Sequence, residues 1–313
     1  RLHLLSQWWG KISLIGKINS QNVSASIIEE MQHTKDKFTA LQSRLIQNLL
    51  KEHLQKRIAD DHNKSQVAID ILIRNLFERT ADVGFLATDD DIRAFLLNTK
   101  RQASDEQAIF LRLQEYVKKY SVYDEIIILD TQGQVQAHLD VNNPISHSDD
   151  PLLKQTLNTS DDYVETFGHS DLQAERQHSL IYSCGIKSSK DKNAAVVGVL
   201  CLCFRFVDEM QGIFANLQAQ NASSAIMIID ERGQTIASSK PQHFPLGRVF
   251  PVDKSPSLTT FQRQRYFSTI TATKGYQGYT GLAWRGQVMT PLQEAFKHNE
   301  KNKPSNKQQL ELR

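Results

Sequence analysis

The sequence predicts an α+β chain: one long N-terminal helix followed by two tandem antiparallel-sheet modules. Three observations carry this. No Gly or Pro occurs between Lys17 and Val83, whereas all eight prolines lie at or beyond Pro144. The strand and turn Ile127-Ile128-Leu129-Asp130-x-x-Gly133-Gln134 return as Met227-Ile228-Ile229-Asp230-x-x-Gly233-Gln234, in the same register. And 313 residues exceed one ordinary core of about 100–150 residues.

Taken in order, residues 1–83 read as a helical spine with apolar positions Phe38, Leu41, Leu45, Leu49, Leu54 and Ile58, then Val67, Ile71 and Phe77. Continuous, it would extend on the order of 100 Å at about 1.5 Å per residue. Such a helix must serve as a stalk, a helix-pairing surface or a spine along several modules. Gly84 is the expected stop. A short helix follows the acidic cap Thr88-Asp89-Asp90-Asp91, and another is expected from the capping box Ser104-Asp105-Glu106-Gln107. After Tyr123 the period changes from helix to strand. The first module, 84–217, has its hairpin at Ile126–Leu139, further strands at Asp162–Phe167, Ser179–Ile186 and Ala194–Phe206, and the helix Val207–Leu217. The second, 218–296, continues with strands Arg265–Thr273 and Leu282–Val288 around the turn Gly275-Tyr276-Gln277-Gly278-Tyr279-Thr280-Gly281. Glycines there admit tight turns; Tyr276, Tyr279 and Trp284 suit aromatic packing or a second pocket. A polar tail occupies 297–313.

A formal charge of +2 offers no basic stripe for nucleic acid. No stretch approaches the roughly 18–20 apolar residues that span a bilayer, and the chain begins with Arg, so membrane contact is expected only through segments outside this sequence. Cys201 and Cys203 share a strand face, at a spacing that does not make a relaxed disulfide, and with Cys184 they are odd in number. Free thiols are therefore expected, which favours a reducing compartment.

Nucleotide-binding, hydrolase and metalloprotease signatures are absent, no nucleophile is visibly paired with a base, and no cofactor or metal is expected. His147, His169 and His178 match no metal-ligand spacing. A ligand face is the more informative reading. Tyr163 and Glu165 alternate to one side of a short strand with Phe167 next along it, Asp171 follows in a loop, Tyr182 centres another strand, and Arg205 ends the strand carrying Cys203. Tyrosine hydroxyls, a carboxylate and a guanidinium above an apolar floor can orient a small polar molecule. The same residues could instead form an edge salt bridge and core tyrosines.

Three further landmarks, Tyr116-Val117-Lys118-Lys119-Tyr120-Ser121-Val122-Tyr123-Asp124, Asp149-Asp150-Pro151-Leu152-Leu153 and Val196-Val197-Gly198-Val199-Leu200, follow the spine and hairpins in an order that resembles the double Cache sensor domains of bacterial chemoreceptors, histidine kinases and diguanylate cyclases. The resemblance spans about Phe38 to Phe296. It implies PAS-like modules, no enzymatic activity, and a ligand-binding first module. By position it implicates Asp150, Leu153, Tyr163, Glu165, Phe167, Asp171, Tyr182, Cys203 and Arg205. The amino-acid-sensing subgroup carries Arg-x-Trp-Tyr on the capping helix, a Tyr-x-Asp strand and a later Asp. Here Pro151, Leu152 and Leu153 occupy the first region, Tyr163-Val164-Glu165 alters the second, and Cys203 stands at the last. With Arg205 close by, an anionic or neutral metabolite is expected. The output expected is a chemotaxis receptor, the alternatives being a kinase or cyclase sensor or a ligand-free scaffold for partner docking. The resemblance also implies an extracytoplasmic location, a soluble cytoplasmic receptor being the alternative, and the spine's apolar stripe suggests a homodimer.

Overall fold

The computed structural model describes residues 25–191, 193–218, 223–252 and 255–295, with Trp8, Lys11, Ile12 and Ile15. The polar tail expected at 297–313 lies outside the described residues. Helix α1, Ala25–Ala87, runs for 63 residues, about 95 Å at 1.5 Å per residue. None of residues 29–60 is buried. From there Asp61, Ser65, Ala68, Leu72, Leu76, Arg79, Val83 and Leu86 are buried at steps of three and four, so one stripe of α1 faces the rest of the molecule. Val67 and Ile71, which the sequence assigned to the apolar stripe, lie on the exposed side. The helix also continues through Gly84. Burial of Val83, Leu86 and Ala87 on either side of it offsets the roughly 1 kcal/mol that a mid-helix glycine costs.

Helix α2, Asp90–Leu97, is capped by Asp89, whose carboxylate accepts from Asp91 N at 2.9 Å and Ile92 N at 3.2 Å. Helix α3 spans Ala103–Lys119 and begins earlier than the Ser104 box suggested. Gln102 is its N-cap and donates its N–H to the Asp105 carboxylate at 3.0 Å.

Ten strands form two sheets of identical order. In the first, β1 (Tyr123–Asp130), β2 (Val135–His138), β3 (Val164–Gly168), β4 (Ser179–Lys187) and β5 (Val196–Phe204) are arranged β2-β1-β5-β4-β3. In the second, β6 (Ala225–Ile229), β7 (Thr235–Ser238), β8 (Ser257–Phe261), β9 (Gln264–Ala272) and β10 (Arg285–Pro291) are arranged β7-β6-β10-β9-β8. Neighbouring strands are antiparallel throughout. Helix α4, Pro151–Asn158, covers the first sheet; α5, Phe206–Gln218, connects the two sheets; and α6, Leu292–Ala295, follows the last strand. Strand β8 has no counterpart in the sequence reading, because its alternation is weak and half exposed. The last strand starts at Arg285 rather than Leu282, since Gly281 and Ala283 both take positive φ and keep the chain in a turn.

The internal repeat holds at atomic detail. Asp130 Oδ1 accepts from Gln132 N and Gln134 N at 2.8 and 3.0 Å; Asp230 Oδ1 accepts from Arg232 N and Gln234 N at 2.9 and 2.7 Å. Gly133 and Gly233 take φ of 87° and 83°, and a Cβ would lie 2.3 Å from Ser148 O in one and 2.1 Å from Phe250 O in the other. Only glycine satisfies both demands.

Helix α1 packs on one face of each sheet. Against the first, its Leu72, Leu76, Val83 and Leu86 join Tyr123, Ile126, Leu180, Tyr182 and Leu202 in one apolar core. Against the second the contact is more polar. Thr290 Oγ1 donates to Asp61 at 2.7 Å, Ser65 and Thr271 hydroxyls lie 2.7 Å apart, and Arg57 donates to Ser224 at 2.7 Å. There β10 runs so close to the helix that a Cβ on Gly286 would lie 2.2 Å from Ser65 O.

Candidate functional site

Strand parity divides the first sheet into two faces with different chemistry. Ile126, Ile128, Leu180, Tyr182, Leu200, Leu202 and Phe204 point toward α1. Ile127, Leu129, Ile181, Val199, Cys201 and Cys203 point outward, where Leu152, Leu153 and Leu172 cover them. Helix α4 lies over this outer face because Asp150 caps it, accepting from Leu152 N at 2.8 Å, Pro151 pre-sets its first turn, and Leu152, Leu153 and Thr156 are buried beneath it. Thr156 and Ser183 hydroxyls meet at 2.6 Å.

Two serines and two aspartates clasp the cover shut. Ser148 Oγ donates to Asp171 at 2.6 Å, Asp149 N donates to the same carboxylate at 2.8 Å, and Ser170 Oγ donates to Asp150. The loop entering α4 and the loop leaving β3 thus hold each other reciprocally.

The residues expected to bind ligand separate accordingly. Asp150 and Asp171 form the clasp, Leu153 packs under α4, and Cys203 lies fully buried beneath. Tyr163, Glu165, Phe167 and Tyr182 lie on the opposite, spine-facing side and pack against the second module's aromatic turn. Tyr182 Oη and Tyr279 Oη donate to Glu165 at 2.9 and 2.8 Å, and Phe167 stacks edge-on to Trp284 at 5.0 Å. Burial pushes the Glu165 carboxyl above its usual range, the two tyrosine hydrogen bonds opposing it. Tyr276 meets Phe77 of α1 at 5.2 Å, so these turn aromatics pack between α1 and the two sheets. Arg205 is at the strand end, its Nε 3.1 Å from Asp124 Oδ1 and 3.8 Å from Asp208. The nine residues therefore do not form one constellation. Glu165 pairs directly with Tyr182 across β3–β4, and that register turns both away from α4.

The polar opening on the outer face lies at its other end, between the start of β1, the loop after β2 and the loop after β3. A pocket of about 410 Å³ is lined by Asp124, Glu125, Asp140, Asn142, Asn143, Pro144, Gln173, Ala174, Glu175 and Arg176. Glu125 is 1% exposed and its Oε1 accepts from the backbone N–H of Ile126, Leu139 and Asp140 at 2.7–3.0 Å. Asn143 Nδ2 reaches its Oε2 and donates to Leu172 O at 2.9 Å, tying pocket wall to clasp. Arg176 Nη1 lies 2.7 Å from Asp124 Oδ2. The Gln173 amide oxygen is buried without a hydrogen-bond partner among the described residues. Four carboxylates against one guanidinium make the pocket a better host for hydrogen-bond donors and cations than for anions. Sequence reading passed over these residues. The available signals were the acidic pair Asp124-Glu125 opening a buried strand and the Asn142-Asn143-Pro144 turn.

The histidines are separately engaged: His147 with Asp149 at 3.1 Å, His169 with Arg176 O at 3.2 Å, and His178 stacked on Phe167 at 5.4 Å. Cys184, Cys201 and Cys203 are free. Burial pushes the Cys184 thiol up to about 11 and raises the other two as well, which disfavours the nucleophilic thiolate.

No family model and no curated protein matches the sequence. Solved structures do match in fold. The ligand-binding domain of the Campylobacter jejuni chemoreceptor Tlp3, in complex with 4-methylisoleucine, superposes with a TM-score of 0.52 at 12% identity, covering 79% of this chain and 95% of that one. A domain of a sensory box/GGDEF family protein from Vibrio parahaemolyticus gives 0.52 at 10% identity, over 79% and 99% of the two chains. The extracellular domain of the histidine kinase vpHK1S-Z8 gives 0.51 at 10% identity, over 79% and 94%. The fold is that of the double Cache sensor domains.

Proposed function

We propose that the chain is the ligand-sensing input domain of a bacterial signalling receptor, that a small molecule binds the first module's polar pocket, and that α1 carries the response. One observation supports this most: within a fold shared with sensor domains, the first module holds a 410 Å³ pocket edged by the clasp loops. Of the anionic or neutral ligand expected, the charge lining that pocket disfavours the anionic one. Arg205 is engaged by Asp124 and Asp208, whereas Glu125, Asp140 and Glu175 contribute negative charge and Gln173 an acceptor unpartnered among the described residues. We therefore favour an amine-bearing ligand whose ammonium group meets these carboxylates. The Tlp3 domain's ligand, 4-methylisoleucine, is an amine-bearing zwitterion.

A ligand shifts the α1 equilibrium only by its differential affinity for two arrangements. A chemotaxis receptor is the output we propose, and an extracytoplasmic position is supported by the extracellular domain that shares the fold. Among the described residues no helix is long and apolar enough to cross a membrane.

The test is a thermal-shift screen of the purified chain against amino acids, amines, carboxylates and sugars. A ligand at about a hundred times its dissociation constant adds roughly 2.7 kcal/mol to the folded state. A hit lost in an Asn142→Ala, Glu175→Ala double variant, both positions being exposed, supports the pocket. Silence, or a hit indifferent to both changes, overturns it.

Leu41, Leu45, Ile46, Leu49 and Leu50 are exposed on α1, between 43% and 67%, and we propose that they pair two copies. Leu45→Asp with Leu49→Asp should reduce the sedimentation coefficient to that of a monomer without lowering the melting temperature.

A further inference from the structure

A second cavity, of about 340 Å³, opens where the two modules meet. Phe167, Arg176, Gln177 and His178 line it from the first module, Phe206, Met210 and Phe214 from α5, and Ile236, Ala237 and Leu246 from the second. Packed interiors leave few voids larger than a water molecule, and this volume falls in the range of ligand pockets. Its floor is fixed. Phe167 lies between His178, stacked at 5.4 Å and 8°, and the edges of Phe206 and Trp284 at 5.4 and 5.0 Å; Phe206 and Trp284 meet at 5.3 Å. Met210 and Phe214 are 2% and 3% exposed. The mouth differs from the floor: Val207 and Leu246 are 49% and 44% exposed, so an apolar occupant would remove both from water. At the polar rim Arg176 places one Nη on Asp124 and has no other hydrogen bond or ion pair through its guanidinium among the described residues, so further guanidinium N–H groups remain to meet a carboxylate.

We propose that this inter-module cavity is a second ligand site, distinct from the polar pocket of the first module, and that it takes a small apolar carboxylate: an aromatic or branched aliphatic body on the Phe167–Phe206 floor, its carboxylate on Arg176. Such an occupant touches both modules and the helix connecting them, so its affinity differs between any two arrangements of the modules, and it acts as an effector of the first site.

The experiment uses phenylacetate, with benzyl alcohol and phenylethylamine as neutral and cationic counterparts. In a Trp8→Phe, Trp9→Phe background Trp284 is the sole tryptophan of the three, and its emission reports the cavity floor. Saturable quenching or shift of Trp284 by phenylacetate is expected, with the two counterparts binding about tenfold more weakly. Val207→Glu places a carboxylate at the mouth and should weaken phenylacetate about tenfold or more; it is tolerated on the acidic first turn of α5 beside Asp208 and Glu209. Leu246→Glu repeats the test from the opposite rim. Binding should persist in the Asn142→Ala, Glu175→Ala variant. Absence of a Trp284 response up to millimolar phenylacetate, equal binding of all three probes, unaltered binding in both Glu variants, or loss of binding in the first-pocket variant each overturns the proposal.

Discussion

The two sheets share strand order, turn geometry and a common spine, yet their outer faces are closed by different means. Over the second sheet Phe244, Phe250, Phe261 and Tyr266 interlock with His243, ring centroids 4.6–6.1 Å apart, above Met227 and Met289. Over the first, aliphatic side chains and two thiols are covered by a short helix, and the covering loops are held by serine–aspartate hydrogen bonds. An aromatic plug loses its contacts when any part of it leaves, so it stays shut. Hydrogen bonds between loops can exchange for water at small net cost, about 0.5–1.5 kcal/mol each. One fold therefore closes its two outer faces by different means, and the difference lies in the loops that close each face.

This contrast can be broken from either side. The largest effect is expected from Phe244→Ala, which should lower unfolding stability by about 3–5 kcal/mol through the cavity left in the plug. Ser170→Ala removes one of the two hydrogen bonds to the half-buried Asp150 carboxylate, the one from Leu152 N remaining, and should cost about 0.5–1.5 kcal/mol. Hydrogen exchange should locate the damage: Ser170→Ala accelerates amides of 148–153 and 170–176 and leaves the protection of strand β9 unchanged. Equal acceleration of both modules would show that the faces are not independent.

The smallest effect concerns the half-buried Glu165 between Tyr182 and Tyr279. Desolvation raises its folded-state pKa above the ordinary glutamate value of 4.5. The folded protein thus holds this proton more tightly than the unfolded chain does. The stability it contributes is fully present below the unfolded value and is lost as pH rises through the folded value. Denaturation curves from pH 4 to 7 should show the parent losing its advantage over Glu165→Gln as pH increases. A constant difference would mean that the carboxylate is not desolvated.

Much of the architecture was legible because it rests on local periodicity. The long Gly- and Pro-free stretch set α1, and the duplicated Asp-x-x-Gly turn announced two like sheets, since only a left-handed glycine lets Ser148 O and Phe250 O approach. The ligand face was not legible in the same way. Alternation shows that Glu165 and Tyr163 share a side, but which side faces a helix depends on contacts from residues 60–90 and 276–284, distant in sequence. Most residues lining the polar pocket come from two loops, after β2 and β3, and loops carry no period. Val67 and Ile71 were misassigned for a related reason: two apolar stripes wind around α1, and only the sheets decide which one is buried.

The unburied length of α1 has a mechanical consequence. From residue 29 onward the helix meets its first buried position at Asp61, and at Gly286 the strand backbone abuts Ser65, a fulcrum without slack. From Ala25 to Arg57 the arm beyond it measures about 48 Å at 1.5 Å per residue. A tilt of about 5° at the fulcrum then displaces the far end by about 4 Å over that length, several times the movement at the sheet. A sub-ångström rearrangement where a ligand sits is magnified by geometry alone before any other part of a receptor has to respond.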